Sequence, residues 1–300
     1  MSDDIAHISI CVCTYRRLGP LKRLLTALSE QDTKGLFSFS IIICDNDGEQ
    51  SARKMVSDFV AGSLLDITYC FEPRKSIALA RNKSLQHAKG DAIAFIDDDE
   101  FPCPDWLFCL LKALNDYKAA GVFGPVRPHF DAEPPSWVIK SGLCERPEHQ
   151  TGFVVPWMEA RTGNAFLRRA LIEEVEIAFK PELELSGSDT DLFRRLMAAG
   201  HTFIWCNEAV VYEVVAPSHW KRRFFINRAL LRGKNSLLFA ERRWISVSKS
   251  LIAVSAYSIA LPFLQLMGHH LFMNYLVRLC DHLGKLLALA GFNPIRERHM

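Results

Sequence analysis

The sequence predicts an α/β protein with a mainly parallel central sheet and helices on both faces. Three observations predict it: several short runs are apolar throughout rather than alternating, leucines and alanines recur at helical spacing between them, and polar or acidic clusters stand where the runs end. Residues 7–14 form the first such run, rich in β-branched residues and cysteine. Residues 18–31 follow with Leu21, Leu24, Leu25 and Leu28 on one helical face. Residues 39–44 are a second strand, 51–60 a helix and 67–71 a third strand. Residues 76–88 place Ile77, Ala80, Leu85 and Ala88 on one side of a helix that Gly90 stops, and 92–96 are a fourth strand. Residues 125–156, rich in proline and aromatics, read as irregular and mobile. A helix over 186–200 and strands over 202–206 and 209–215 complete this part.

In open sheets of this kind ligands bind beyond the carboxyl ends of the strands. That rule leads to Tyr15-Arg16-Arg17, Asp45-Asn46-Asp47 and Asp97-Asp98-Asp99-Glu100. Four consecutive acids after a buried strand repel one another unless a cation compensates them. A hard divalent ion takes one or two carboxylates together with phosphates and water; the competing reading is a solvated acidic turn. Asp45 suits a bond to ribose or base, and equally an Asx turn closed by Gly48. In the helix over 186–200, Asp189 shares a stripe with Leu192, Phe193 and Leu196, which suits a proton acceptor, whereas Ser188 and Asp191 suit capping.

Composition narrows the function classes. With 49% apolar residues, 23% charged residues and a net charge of +2, the chain can bury a core and lacks the overall basic field of a nucleic-acid binder. Its nine cysteines show no disulfide or zinc-ligand spacing and read as small buried hydrophobes of a reducing compartment. The N-terminus shows no signal-peptide pattern, so the expected location is the cytosol.

The ordered motifs Val12-Cys13-Thr14-Tyr15-Arg16-Arg17, Ile43-Cys44-Asp45-Asn46-Asp47, Ala80-Arg81-Asn82-Lys83-Ser84-Leu85, Asp97-Asp98-Asp99 and Thr162-Gly163-Asn164-Ala165-Phe166, followed by Ser188-Asp189, resemble glycosyltransferase family 2. The resemblance covers about residues 7–235, and within the family it points to the succinoglycan-type exopolysaccharide glucosyltransferases. It implies a GT-A fold and an inverting single displacement from a nucleotide-diphospho-sugar, a UDP-hexose. It assigns Mg²⁺ or Mn²⁺ to Asp97 and Asp99. Donor contacts fall on Thr14, Tyr15, Arg17, Asp45, Arg81, Asp97 and Asp98. Acceptor contacts fall on Gly163, Asn164, Ser188 and Trp157, and the catalytic base on Asp189. The chain departs from the family's Glu-Asp pair by carrying Ser188 in the glutamate's place, and Ile77 stands where glycine is common.

The expected division is a catalytic domain over 1–216, a basic amphipathic helical segment over 217–244 and a hydrophobic tail over 245–300. Residues 217–243 hold eight Lys or Arg against Glu241, and residues 250–277 hold no charged side chain. Arg222, Arg223, Arg228 and Arg232 suit either the donor diphosphate or lipid phosphates. A basic stretch before an apolar one describes a helix that crosses a bilayer or one that lies in its interface. The expected acceptor is a lipid-linked oligosaccharide at the cytoplasmic face of the cell membrane. Two other classes compete: a non-catalytic nucleotide-sugar or carbohydrate-binding module, which needs no Asp189, and a metal-dependent nucleotidyltransferase, which leaves the tail unexplained.

Overall fold

The computed structural model describes residues 5–183, 187–237 and 243–292. Ser186, the expected first residue of the acidic helix, and the end of the tail over 293–300 lie outside them. The chain divides into two compact units, Met1–Arg127 with Arg146–Val214, and Pro128–Glu145 with Val215–Met300. The expected boundary at 216 falls near this division, but residues 128–145 belong with the second unit.

The first unit is built on a seven-stranded sheet. Strands β1 (His7–Thr14), β2 (Ser38–Asp45), β3 (Ile67–Phe71) and β4 (Ala92–Phe95) are separated by helices α1 (Leu18–Ser29), α2 (Arg53–Ala61) and α3 (Ile77–His87). β1 shows why the run is apolar throughout. Ile8, Ile10 and Val12 face one core with Leu21, Leu24, Leu25 and Leu28 of α1, whereas Cys11 faces a second core with Ala78 and Ala80 of α3. Every strand residue is therefore covered, as expected of a parallel sheet between helices. Ser76 caps α3 by accepting a bond from the Leu79 amide, so Ile77 in the glycine position starts an ordinary helix.

Beyond β4 come β5 (Glu100–Pro102), α4 (Trp106–Asp116), β6 (Gly121–Phe123) and β7 (Val126–His129), then α5 (Ser136–Ser141). The segment expected to be irregular thus carries a strand and a helix. β8 (Ala165–Arg168), α6 (Ala170–Glu173), α7 (Ser188–Ala198), β9 (Phe203–Trp205) and β10 (Val211–Val214) follow. The large sheet has the order β3-β2-β1-β4-β8-β6-β9, and β8 runs antiparallel to β4 and β6. Register gathers the site: Thr14 pairs with Asp45, Cys11 with Phe95, and Phe95 with Ala165. The residues after β1, β2 and β4 and those before β8 therefore meet along one sheet edge. A small second sheet, β5-β10-β7, sets Glu100 opposite Glu213.

The second unit contains α8 (Arg222–Asn235), α9 (Arg243–Met267) and α10 (His269–Leu289). Gly268, at φ 140°, breaks the uncharged run over 250–277 into two helices. Trp137 of α5 packs edge-on against Phe225 of α8 at 5.8 Å, against the apolar cluster of this unit. α8 and α10 meet through glycine: a Cβ on Gly284 falls 2.1 Å from Leu230 O, and one on Gly233 falls 1.9 Å from Asp281 O. Neither backbone can yield, so Gly284→Val is expected to cost about 3 kcal/mol by forcing the helices apart. Chemical denaturation of the second unit's transition measures it; unchanged stability contradicts the close crossing.

Candidate active site

The site begins with the acids after β4. Asp98 is buried, and both its oxygens are engaged: Oδ2 accepts from the Thr14 hydroxyl at 2.8 Å and Oδ1 from Arg17 at 3.1 Å. The same Arg17 nitrogen donates to Asp99 Oδ2 at 2.7 Å. Asp98, Thr14 and Arg17 thus form an internal brace, in which the expected donor contacts Asp98 and Thr14 are buried and bonded to each other. Asp97 differs, with 46% of its side chain exposed and Arg81 3.7 Å away. Arg81 also lies 5.4 Å over the ring of Phe179. That ring packs edge-on against Phe95, and its backbone is clamped by both ends of the Asn82 amide.

Glu100 turns back under the cluster, where its Oε2 accepts from the Asp97 amide at 2.9 Å and its buried Oε1 has no partner. Like charges directly opposite in a sheet repel. Arg146 relieves the Glu100–Glu213 pair by bonding Glu213 and attracting Glu100. Gly163 lies against this group, because a Cβ there would meet Glu100 Oε1 at 2.8 Å. The sequence pattern implied an acceptor contact at Gly163; the structure sets it against the Glu100 carboxyl, where a larger side chain would have to displace that group.

Five carboxyls (Asp97, Asp98, Asp99, Glu100, Glu213) face three guanidiniums (Arg17, Arg81, Arg146), leaving two positive charges wanting. The imbalance appears in the acids themselves. Burial pushes Asp99 up to about 7, with Arg17 opposing and Asp97 adding to it. Burial likewise raises Asp98, and holds Glu100 well above the usual carboxylate range. Hard oxygen donors short of two positive charges fit Mg²⁺ or Mn²⁺, and Asp97 and Asp99 are the members with oxygen left to offer. Among the described residues no group of three or more His, Cys, Asp or Glu forms a ready cage. An ion held partly by substrate phosphate needs none.

A pH dependence follows. The Asp99 carboxyl titrates at 3.8 without its surroundings and at about 7 in the metal-free fold. The folded state therefore holds the extra proton, and its stability falls as pH rises from about 4 to about 7. A divalent ion competes with that proton, so stabilisation by Mn²⁺ grows over the same window. Thermal melting at about pH 5 and pH 7.5, with and without Mn²⁺, checks this. A metal-free slope equally steep in Asp99→Asn contradicts it.

At the end of β2, Asp45 is wholly enclosed. It accepts from the amides of Asp47 (3.0 Å) and Ala52 (2.8 Å) and from the Tyr69 hydroxyl (2.9 Å). The Asx turn takes Oδ1 while Ala52 and Tyr69 take Oδ2, so the expected nucleotide contact is enclosed within its own loop. Asp47 is forked by Arg16 at 2.8 and 3.1 Å, and that hydrogen-bonded pairing draws its carboxyl down to about 2. Tyr15 is half-buried, with Lys75 4.8 Å and Arg16 5.3 Å from its ring centre.

α7 begins after Gly187, whose φ of 104° suits only glycine. Asp191 is buried and bonded by Arg195 at 2.8 Å, so it anchors the helix. Asp189 is half-buried, with Oδ1 accepting from the Thr190 amide at 2.9 Å. Arg161 donates to Thr190 Oγ1 at 3.1 Å, which joins the first turn of α7 to the loop that carries Gly163 beside Glu100. Ser188 is 3% exposed and faces inward. Trp157 is half-buried.

Asn164 is fully buried at φ 59°. It accepts from the Trp106 indole at 2.8 Å and donates to Pro125 O at 2.9 Å and Ala209 O at 2.7 Å. The residue expected to contact the acceptor thus ties the start of α4 to the segments carrying Pro125 and Ala209. Asn164→Ala leaves three buried groups unpaired and is expected to cost at least about 3 kcal/mol by urea denaturation. A loss below about 1 kcal/mol contradicts this assignment.

The family model for glycosyl transferase family 2 matches residues 9–175. The chain belongs to that family. It is 38% identical over 234 residues to the succinoglycan biosynthesis protein ExoM of Rhizobium meliloti, covering 75% of this chain and 74% of that one. It is 28% identical to a glucosyl-dolichyl phosphate glucuronosyltransferase of Haloferax volcanii, over 79% of this chain and 72% of the relative. Among solved structures, S. aureus TarS 1-349 in complex with UDP superposes with a TM-score of 0.55 at 15% identity, covering 97% of this chain and 94% of the other. That likeness is one of fold, and it agrees with the GT-A arrangement expected of this glycosyltransferase.

Glycosyltransferase family 2 motifs thus led to the acidic strand end, the arginine of α3 and the first turn of α7. Sequence reasoning did not name Arg146, Glu213, Arg161 or Lys75 for this glycosyltransferase. Arg146 lies in a stretch without periodicity, and Glu213 faces Glu100 only once β10 pairs with β5. A useful signal was present all the same: four acids with one basic neighbour in sequence require cations from elsewhere.

Proposed function

We propose that this family 2 enzyme is an inverting hexosyltransferase that moves a hexose, glucose being the first to test, from a UDP-sugar to an acceptor hydroxyl. The acceptor is lipid-linked or saccharide, in exopolysaccharide or cell-surface polysaccharide synthesis at the cytoplasmic face of the membrane. The observation that carries the reading is the cation-short cluster at the carboxyl end of β4, joined through Gly163 and Arg161 to the first turn of α7. Support also comes from the relative named for succinoglycan biosynthesis and from structures of TarS with UDP and with UDP-GlcNAc.

In this reading Asp97 and Asp99 would hold Mg²⁺ or Mn²⁺, which would supply positive charge to the diphosphate leaving group. Arg17 holds Asp99 in place, and Arg81 adds positive charge beside Asp97. Tyr15, Arg16 and Lys75 line the nucleotide side, with Asp45 shaping their loop. Asp189 takes the proton of the acceptor hydroxyl as that oxygen bonds to the anomeric carbon from the face opposite the diphosphate. The C–O bond to UDP breaks in the same step, so the anomeric configuration inverts.

Incubating full-length protein and membrane lipid extract with labelled UDP-glucose and a panel of other UDP-hexoses tests this. The expected result is label in the lipid or saccharide fraction, release of UDP, and loss of both with EDTA. Binding of UDP-sugar without transfer to any acceptor fraction favours the binding module. Release of pyrophosphate from a nucleoside triphosphate favours the nucleotidyltransferase.

A further inference from the structure

α9 touches its neighbour with one side only. Lys285 donates to Ser246 Oγ at 2.9 Å, His282 Nδ1 bonds Ser250 Oγ at 3.1 Å, and the Tyr257 ring packs edge-on against Tyr275 at 5.6 Å. Ser246, Ser250 and Tyr257 share a helical face, so α10 runs back along α9 after the break at Gly268. The opposite face of α9 carries Ile245, Ile252, Ile259, Phe263 and Leu266, at helical spacing and exposed. Ile252 is 72% exposed and Leu266 87%, so this is no core helix. A continuous apolar face of this length marks an interaction surface.

Charge decides what covers it. Residues 217–292 hold eleven Lys or Arg against Glu241 and Asp281, and Asp281 is forked by Arg232 at 2.8 and 2.6 Å. An apolar stripe on a strongly basic helical unit fits an anionic lipid surface. Trp244–Met267 is long and apolar enough to cross a bilayer. Crossing with α10 attached, however, drags Arg278, Asp281, His282 and Lys285 into hydrocarbon, and crossing alone strips the polar pairs from its other face.

We propose that α9 and α10 lie together in one leaflet, parallel to the membrane plane, with the stripe from Ile245 to Leu266 sunk into the boundary between headgroups and acyl chains. The proposal rests on the membrane-associated reading above and specifies its geometry.

Two experiments on the full chain separate the geometry from that reading. In flotation with preformed vesicles, binding to phosphatidylglycerol-containing vesicles is expected to exceed binding to pure phosphatidylcholine at least tenfold. Ile252→Asp with Ile259→Asp is expected to abolish it without changing the melting temperature, since both side chains are exposed. Absence of flotation with either vesicle, or a stable lipid-free dimer that the same double substitution dissociates, overturns membrane docking itself. In the second experiment Gln265→Cys is treated with an impermeant maleimide in inverted and right-side-out membrane vesicles, read by mass spectrometry on the peptide carrying residue 265. Labelling from the same face as the native Cys103 is the expected result. Labelling from the opposite face shows that α9 crosses, and overturns the geometry while leaving membrane attachment intact.

Discussion

Asp189→Asn is expected to lower kcat about 10³-fold while leaving UDP affinity within about twofold, the range typical of a positioned general base. The substitution is close to structurally silent. The amide oxygen of asparagine still accepts from the Thr190 amide, and the helix keeps its anchor through Asp191 and Arg195. What is lost is a group that can accept a proton. Asp191 offers the control: Asp191→Asn weakens the bond to Arg195 and acts on stability before it acts on turnover. Steady-state kinetics with UDP-sugar and acceptor extract reads both variants. Full turnover in Asp189→Asn removes that residue from the proton-acceptor role.

Asp99→Ala is expected to abolish metal-dependent donor binding, at least about 100-fold, and turnover with it. Its effect on folding has the opposite character. Asp99 is a half-buried acid pushed toward neutrality by desolvation and like charges, and Arg17 keeps Asp98 as a partner when Asp99 is gone. Removing a crowded carboxylate relieves repulsion, so the metal-free melting temperature at about pH 7.5 is expected to hold or rise. Arg17→Ala supplies the contrast, since it strips the shared cation from both acids and is expected to destabilise the fold. If Asp99→Ala binds UDP as tightly as the unaltered protein and with the same metal requirement, the ion is held elsewhere.

The parallel half of the sheet was legible because its signals are local. The runs at residues 7–14 and 67–71 coincide with β1 and β3, each a short apolar stretch ended by polar groups. β8 was missed because four residues, Ala165–Arg168, are too few to show a period, and its direction depends on partners far away in sequence. The same distance dependence hides the partners of the site residues. Asn164 follows a glycine in a loop motif and reads as a ligand contact, yet its partners are Trp106, Pro125 and Ala209, which no local pattern reveals. Asp45 carried two readings in the sequence, and its bonds run to the Asx turn, the Ala52 amide and the Tyr69 hydroxyl. The acidic strand end was visible from charge alone, whereas the arginines that brace it required the fold.

The central claim is that the carboxyl end of β4 binds a nucleotide diphosphate through a divalent ion. Isothermal calorimetry of UDP into the full-length protein, with Mn²⁺ or Mg²⁺ and again with EDTA, tests it most directly. One binding event per chain is expected with metal, lost in EDTA and lost in Asp99→Ala. Absence of binding under every condition, or binding that is indifferent to EDTA, contradicts it.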